Sequence, residues 1–146
     1  MERKLFLIFF IFTILLASAC RQNEKAFPKD RVAEIGMTAQ SPSGKYFLKV
    51  LEAKDEGADC LRFAIYTDPN DNSVYSSPEC YLSAHTTFFL WGKTDQVWVY
   101  SGDVGTSYWQ QENGIWIKKS IGQDKSLPVP DYLKRARPEF FPNPAQ

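Results

Sequence analysis

Residues 31–146 predict an all-β domain: an antiparallel meander forming a twisted sheet or small sandwich, with one short C-terminal helix. Three observations predict it. Short runs rich in aromatic and β-branched residues recur along the chain, as strands require. Gly, Asn, Asp or Pro bounds each run, and these residues make turns. Only one stretch, near the C-terminus, carries helix start and stop signals.

The elements follow in order. A first edge strand is expected between Arg31 and Thr38. "SPSG" at 41–44 is a turn, and "KYFLKVLEA" after it places Tyr46, Leu48 and Val50 on one face. "DEGAD" at 55–59 turns the chain into "CLRFAIYT". There Leu61, Phe63 and Ile65 alternate with Cys60, Arg62, Ala64 and Tyr66. "DPNDNS" at 68–73 is a strong turn signal. The runs "VYSS", "CYLSA", "TTFFLW", "VWVYS", "TSYWQ" and "IWIKK" continue the meander. Pro130 and Asp131 open the helix "DYLKRAR", and Pro138 stops it. Its Lys134, Arg135 and Arg137 read as a solvated helix face. The tail "PEFFPNPAQ" is extended, with Phe140 and Phe141 placed to dock on the domain.

"WGKTDQVWVY" and "WQQENGIWIK" form a small internal repeat. With "SPSGKYFLKV" they resemble pieces of a β-propeller blade. A propeller needs at least four blades of roughly 40 residues, so the resemblance implies only an antiparallel meander. If both hairpins were symmetric, Trp91 would face Trp98 and Trp109 would face Trp116. A turn centred in "SGDVG" would set Trp98 against Trp109. All four tryptophans would then form one row, with Tyr100 on their face and Val97, Val99, Ile115 and Ile117 on the other. Such a sheet is apolar on both sides, unlike an antiparallel sheet with one wet face. Either both faces are covered or Trp91, Trp98, Trp109, Trp116 and Tyr100 form a candidate binding face. Core packing is the commoner use of an aromatic stripe.

Residues 1–30 belong outside this domain. Arg3 and Lys4 precede an apolar run from Leu5 to Leu16, and small residues follow at "ASAC". This is the layout of a signal peptide, 1–19, and the run is shorter than the roughly 20 residues of a membrane span. The cut site ending at Cys20 resembles the lipobox of bacterial lipoprotein precursors, although the Leu usual three places before the Cys is Ala17 here. The resemblance implies a lipidated Cys20, a membrane anchor and a cell-envelope location. In a Gram-negative host, Arg21 in place of Asp implies the outer membrane. Residues 20–30 would be a tether with a reach of roughly 15–20 Å. Cysteine parity agrees. Of three cysteines, lipidation of Cys20 leaves Cys60 and Cys80 to pair in an oxidising compartment. A turn near Asn70 sets Tyr66 against Val74 and Cys60 against Cys80. A bulge at Pro78 would slip that register.

The chemistry is sparse. Lys and Arg balance Asp and Glu at 17 each, so no basic surplus favours nucleic acid. No P-loop, G-x-G-x-x-G, H-E-x-x-H, C-x-x-C or G-x-S-x-G occurs. His85 is the one histidine, which cannot build a multi-histidine metal site. Asp103 in "SGDVG" reads as a turn residue without a catalytic partner. "DPNDNSVYSSPE", Asp68 to Glu79, resembles a calcium loop. Ser73 stands where that loop needs Gly and the flanks are strand-like, so a plain turn is the expectation. No catalytic residue, metal site or cofactor is assigned. The expected function is a non-catalytic, lipid-anchored envelope module that binds a glycan or protein partner. The alternatives are an envelope enzyme, such as a cell-wall hydrolase, and a purely structural component.

Overall fold

The structure, a computed structural model, describes residues 31–122 and 126–142. The expected signal peptide, Cys20 and the expected tether lie outside the described residues. The domain is a two-sheet antiparallel sandwich with one short helix. The first sheet runs in the order β1 (Val32–Ala33), β7 (Thr87–Trp91), β8 (Val97–Ser101), β9 (Gly105–Glu112), β10 (Ile115–Ser120). The second runs β2 (Thr38–Gln40), β3 (Phe47–Asp55), β4 (Ala58–Tyr66), β5 (Tyr75–Ser76), with β6 (Tyr81–Leu82) also on β4. The expected first edge strand is β1, and the meander order β7 to β10 follows the turn signals.

The turns set the registers, and the registers correct the tryptophan row. Lys93 to Asp95 form a three-residue loop closed by Gly92 N–H to the Gln96 carbonyl at 2.7 Å. Asp95 takes the left-handed position, φ 63°. This loop pairs Trp91 with Val97, one residue off the symmetric expectation. The loop Gly102–Val104 likewise pairs Val97 with Trp109. At Asn113–Gly114 both φ angles are positive, 50° and 84°, giving a two-residue hairpin that pairs Trp116 with Gln111. A slip of one residue reverses a side chain's face; a slip of two preserves it. Trp98 is therefore turned away from Trp91, Trp109 and Trp116. Val97 and Val99 join those three, while Tyr100 stays with Trp98. Ile115 and Ile117 do face away from Trp116, and they are exposed.

Two apolar layers result. Between the sheets, Leu48, Val50, Phe63 and Ile65 pack on Phe89, Trp91, Val97, Val99, Trp109 and Trp116. On the far side of the first sheet, Trp98 stacks on Tyr108 with ring centres 5.0 Å apart. Leu90, Tyr100, Leu133 and Phe141 complete that layer, with Leu127, Val129 and Tyr132 against it. Here the helix α1 (Asp131–Ala136) and its flanks act as a third layer. Leu133 is its fully buried anchor. Arg137 ends the helix and stacks its guanidinium over Tyr100, 4.9 Å from the ring centre. Of the two expected docking residues, Phe141 is buried and Phe140 is exposed.

Cys60 and Cys80 are paired, with Cα atoms 5.5 Å apart. Ile65 faces Tyr75, as a turn near Asn70 requires, but Leu61 faces Tyr81. The register thus shifts by two residues across the Pro78 segment. An even shift keeps both sulfurs on one face, so the slip does not separate them.

Two outcomes follow. Labelling of the denatured, unreduced full chain will find Cys60 and Cys80 blocked, and replacing both with Ser will cost about 3 kcal/mol by the chain-entropy argument; two reactive thiols there would contradict the pairing. Gly92 lies against Trp98, and a Cβ there would stand 2.7 Å from Nε1 and 2.9 Å from Cδ1. Gly92→Ala should then lower stability by about 1–3 kcal/mol. Gly102→Ala, whose Cβ would meet nothing closer than 3.6 Å, should be far milder in the same thermal melt.

Candidate functional site

The tryptophan row does not present a binding face. Trp98 and Trp109 are each 1% exposed, Trp91 3% and Trp116 7%, and Tyr100 is equally enclosed. Trp91 donates its indole N–H to the Ala39 carbonyl at 2.9 Å, tying the two sheets together. Both faces of the aromatic sheet are covered, one by the second sheet and one by the C-terminal segment.

Polar side chains gather instead at the two ends of the sandwich. One end carries the turns 41–45, 92–96 and 113–114. The "SPSG" turn and the β7–β8 turn meet across the sheets, where the Ser43 N–H donates to Asp95 Oδ1 at 3.0 Å. Beside that contact opens a cleft of about 280 Å³. Lys45, Tyr46, Asp95, Gln96, Gln111 and Trp116 are among its lining residues. Tyr46 stands edge-on to Trp116, ring centres 5.3 Å apart, and its hydroxyl donates to Gln111 Oε1 at 3.0 Å. Gln96 is buried and bonds Thr94 through both ends of its amide. Trp116 Nε1 is buried with no hydrogen-bond partner among the described residues. Sequence reasoning marked Trp116 but missed Lys45, Tyr46, Asp95, Gln96 and Gln111. The signal was present: three polar turns that close on one another once the registers are set.

Two carboxylate networks lie elsewhere, one along the edge of the sandwich and one at its other end. Glu79 accepts from Tyr81 Oη at 2.7 Å and from Lys118 Nζ at 2.7 and 2.8 Å. Lys118 also lies over the Trp109 ring, 5.4 Å from its centre. Burial first, then the hydrogen bond to Glu79, pushes the Tyr81 phenol far above its usual range. Burial raises Tyr75 as well. Asp103 accepts a hydrogen bond from Ser101, which holds its carboxyl below the usual carboxylate range. His85, exposed in the preceding loop, adds a smaller electrostatic pull in the same direction. The fold thus brings His85, Ser101 and Asp103 together, but the serine proton is directed at the carboxylate.

The calcium-like stretch is a turn. Asp68 Oδ1 accepts from the Asn70 N–H at 2.8 Å, and Glu79 is engaged by Lys118. Among the described residues no three His, Cys, Asp or Glu side chains gather as metal ligands, and no helix is long and apolar enough to cross a membrane. No protein-family model matches this chain, and neither the curated proteins nor the solved structures contain a match.

Tyr81 gives a pH signature. Its folded pKa lies above the unfolded value near 10, so its contribution is complete below about pH 10 and lost as pH rises beyond it. Urea midpoints should fall between pH 9 and 11, and Tyr81→Phe should flatten the fall. Equal slopes in both proteins would contradict the buried Tyr81 phenol and its bond to Glu79.

Proposed function

We propose that this chain is an exported, lipid-tethered module of the bacterial cell envelope that binds a partner molecule without catalysing a reaction. The observation that carries the binding role is the cleft at the turn end. It is built from both sheets, combines an aromatic wall with amide, carboxylate and ammonium groups, and stands on a rigid disulfide-bearing sandwich. Binding sites are commonly concavities of this kind, with a few polar groups on a fixed scaffold. Outside the cleft two carboxylates have structural work. Glu79 joins Lys118 to Tyr81, and Asp103 holds the Ser101 hydroxyl.

The anchor rests on sequence. The cut-site pattern ends at Cys20, and the Cys60–Cys80 pair accounts for the other two of the three cysteines. The chain leading from Cys20 would join the domain at Arg31, whose carbonyl accepts from Trp91 N–H at 3.1 Å. Arg31 lies at the same end as the cleft. A tether of roughly 15–20 Å reach would keep the cleft close to the membrane surface.

Cells expressing the full chain should incorporate labelled palmitate, and Cys20→Ser should abolish the label. Two or more acyl chains give stable anchoring where one gives marginal binding. A processed chain with an unmodified Cys20 at its N-terminus would overturn the tethered reading.

A further inference from the structure

From the chemistry of the turn-end cleft, we infer that its ligand is an uncharged sugar, a pyranoside of one or two rings. The inference rests on the binding-module reading above and names the ligand class.

Four features point there. The cleft, about 280 Å³, sits at the small end of ligand pockets, near 300 Å³. Its two charged side chains, Lys45 and Asp95, cancel, so no net field selects an ion. Its polar groups offer donors and acceptors side by side. Gln111 has one amide end taken by Tyr46 and its –NH₂ end still able to donate. Asp95 has one oxygen taken by the Ser43 N–H and a second able to accept. Sugar hydroxyls donate and accept at once and match such a set. The half-buried Tyr46, braced against Trp116 and Trp91, supplies an apolar wall for the C–H face of a ring.

The unpartnered Trp116 Nε1 is the independent observation. Buried indole N–H groups ordinarily find an acceptor, and an orphan costs about 1–3 kcal/mol. Trp116 is more than nine-tenths buried and lines this cleft, whereas the likewise unpartnered Trp98 Nε1 lies on the far side of the sheet. A charged ligand would leave Lys45 or Asp95 opposed. An extended peptide would instead pair along a strand edge, through main-chain hydrogen bonds that this cleft does not offer.

The test is titration of the full chain in detergent micelles with maltotetraose and chitotetraose, followed by calorimetry and tryptophan fluorescence. The two probes separate a plain hexose from an N-acetylated wall-type sugar. Saturable binding of either one, with a shift in tryptophan emission, is expected. Gln111→Ala, at an exposed position, should weaken binding about tenfold while the melting temperature stays unchanged. Tyr46→Phe, which keeps the ring and removes the hydroxyl that holds Gln111, should weaken it less. No saturable signal with either sugar, or binding that Gln111→Ala leaves intact, overturns the inference. Fatty-acid labelling is a separate measurement, so loss of sugar binding in a lipidated protein overturns the ligand assignment and leaves the tether standing.

Discussion

Everything in this domain depends on where three short turns set the strand registers. Lys93–Asp95, Gly102–Val104 and Asn113–Gly114 each fix one pairing of the aromatic sheet. The first two move their strands by an odd step from hairpin symmetry. That step sends Trp98 to one side and Trp91, Trp109 and Trp116 to the other. One side would have been an open platform of four indoles. Instead each side has enough aromatic surface to hold a layer, and each is covered.

The consequence is a three-layer packing in a small domain. The second sheet covers the side with three tryptophans. The C-terminal segment covers Trp98 through Leu133 and Phe141. A six-residue helix has little stability of its own. It is held by Leu133 and by Arg137 over Tyr100. The sheet core is therefore tied to residues almost at the end of the described chain. Close packing of this kind keeps polar groups out of the two apolar layers, and at the sandwich ends polar side chains meet across the sheets. There the turns project side chains from both sheets toward one another, and function concentrates where scaffold meets loop.

Much of the fold was legible in the sequence. Alternation in "CLRFAIYT" put Leu61, Phe63 and Ile65 on one face, and Phe63 and Ile65 are fully buried between the sheets. Turn residues marked the strand ends, and the position of the short C-terminal helix followed from Pro130 and Pro138. Faces within the meander were not legible. The loop "GKTDQ" allows either an even or an odd closure, and the choice lies in the left-handed Asp95, a backbone state that residue identity permits without requiring. The cleft was hidden for the same reason. Ser43 and Asp95 are far apart in sequence, and nothing local reports that their turns touch. The Cys60–Cys80 pair was legible because parity survives a two-residue slip.

The central claim is that the tryptophans are core and that ligand binding belongs to the turn-end cleft beside Trp116. The most direct measurement is fluorine NMR of the full chain with 5-fluorotryptophan at all four positions, using a soluble paramagnetic agent to broaden exposed resonances. Four resonances with little broadening are predicted, and the Trp116 resonance alone should shift strongly when sugar is added. Strong broadening of Trp98 together with its neighbours, or a sugar-induced shift at Trp98 in place of Trp116, would contradict the account.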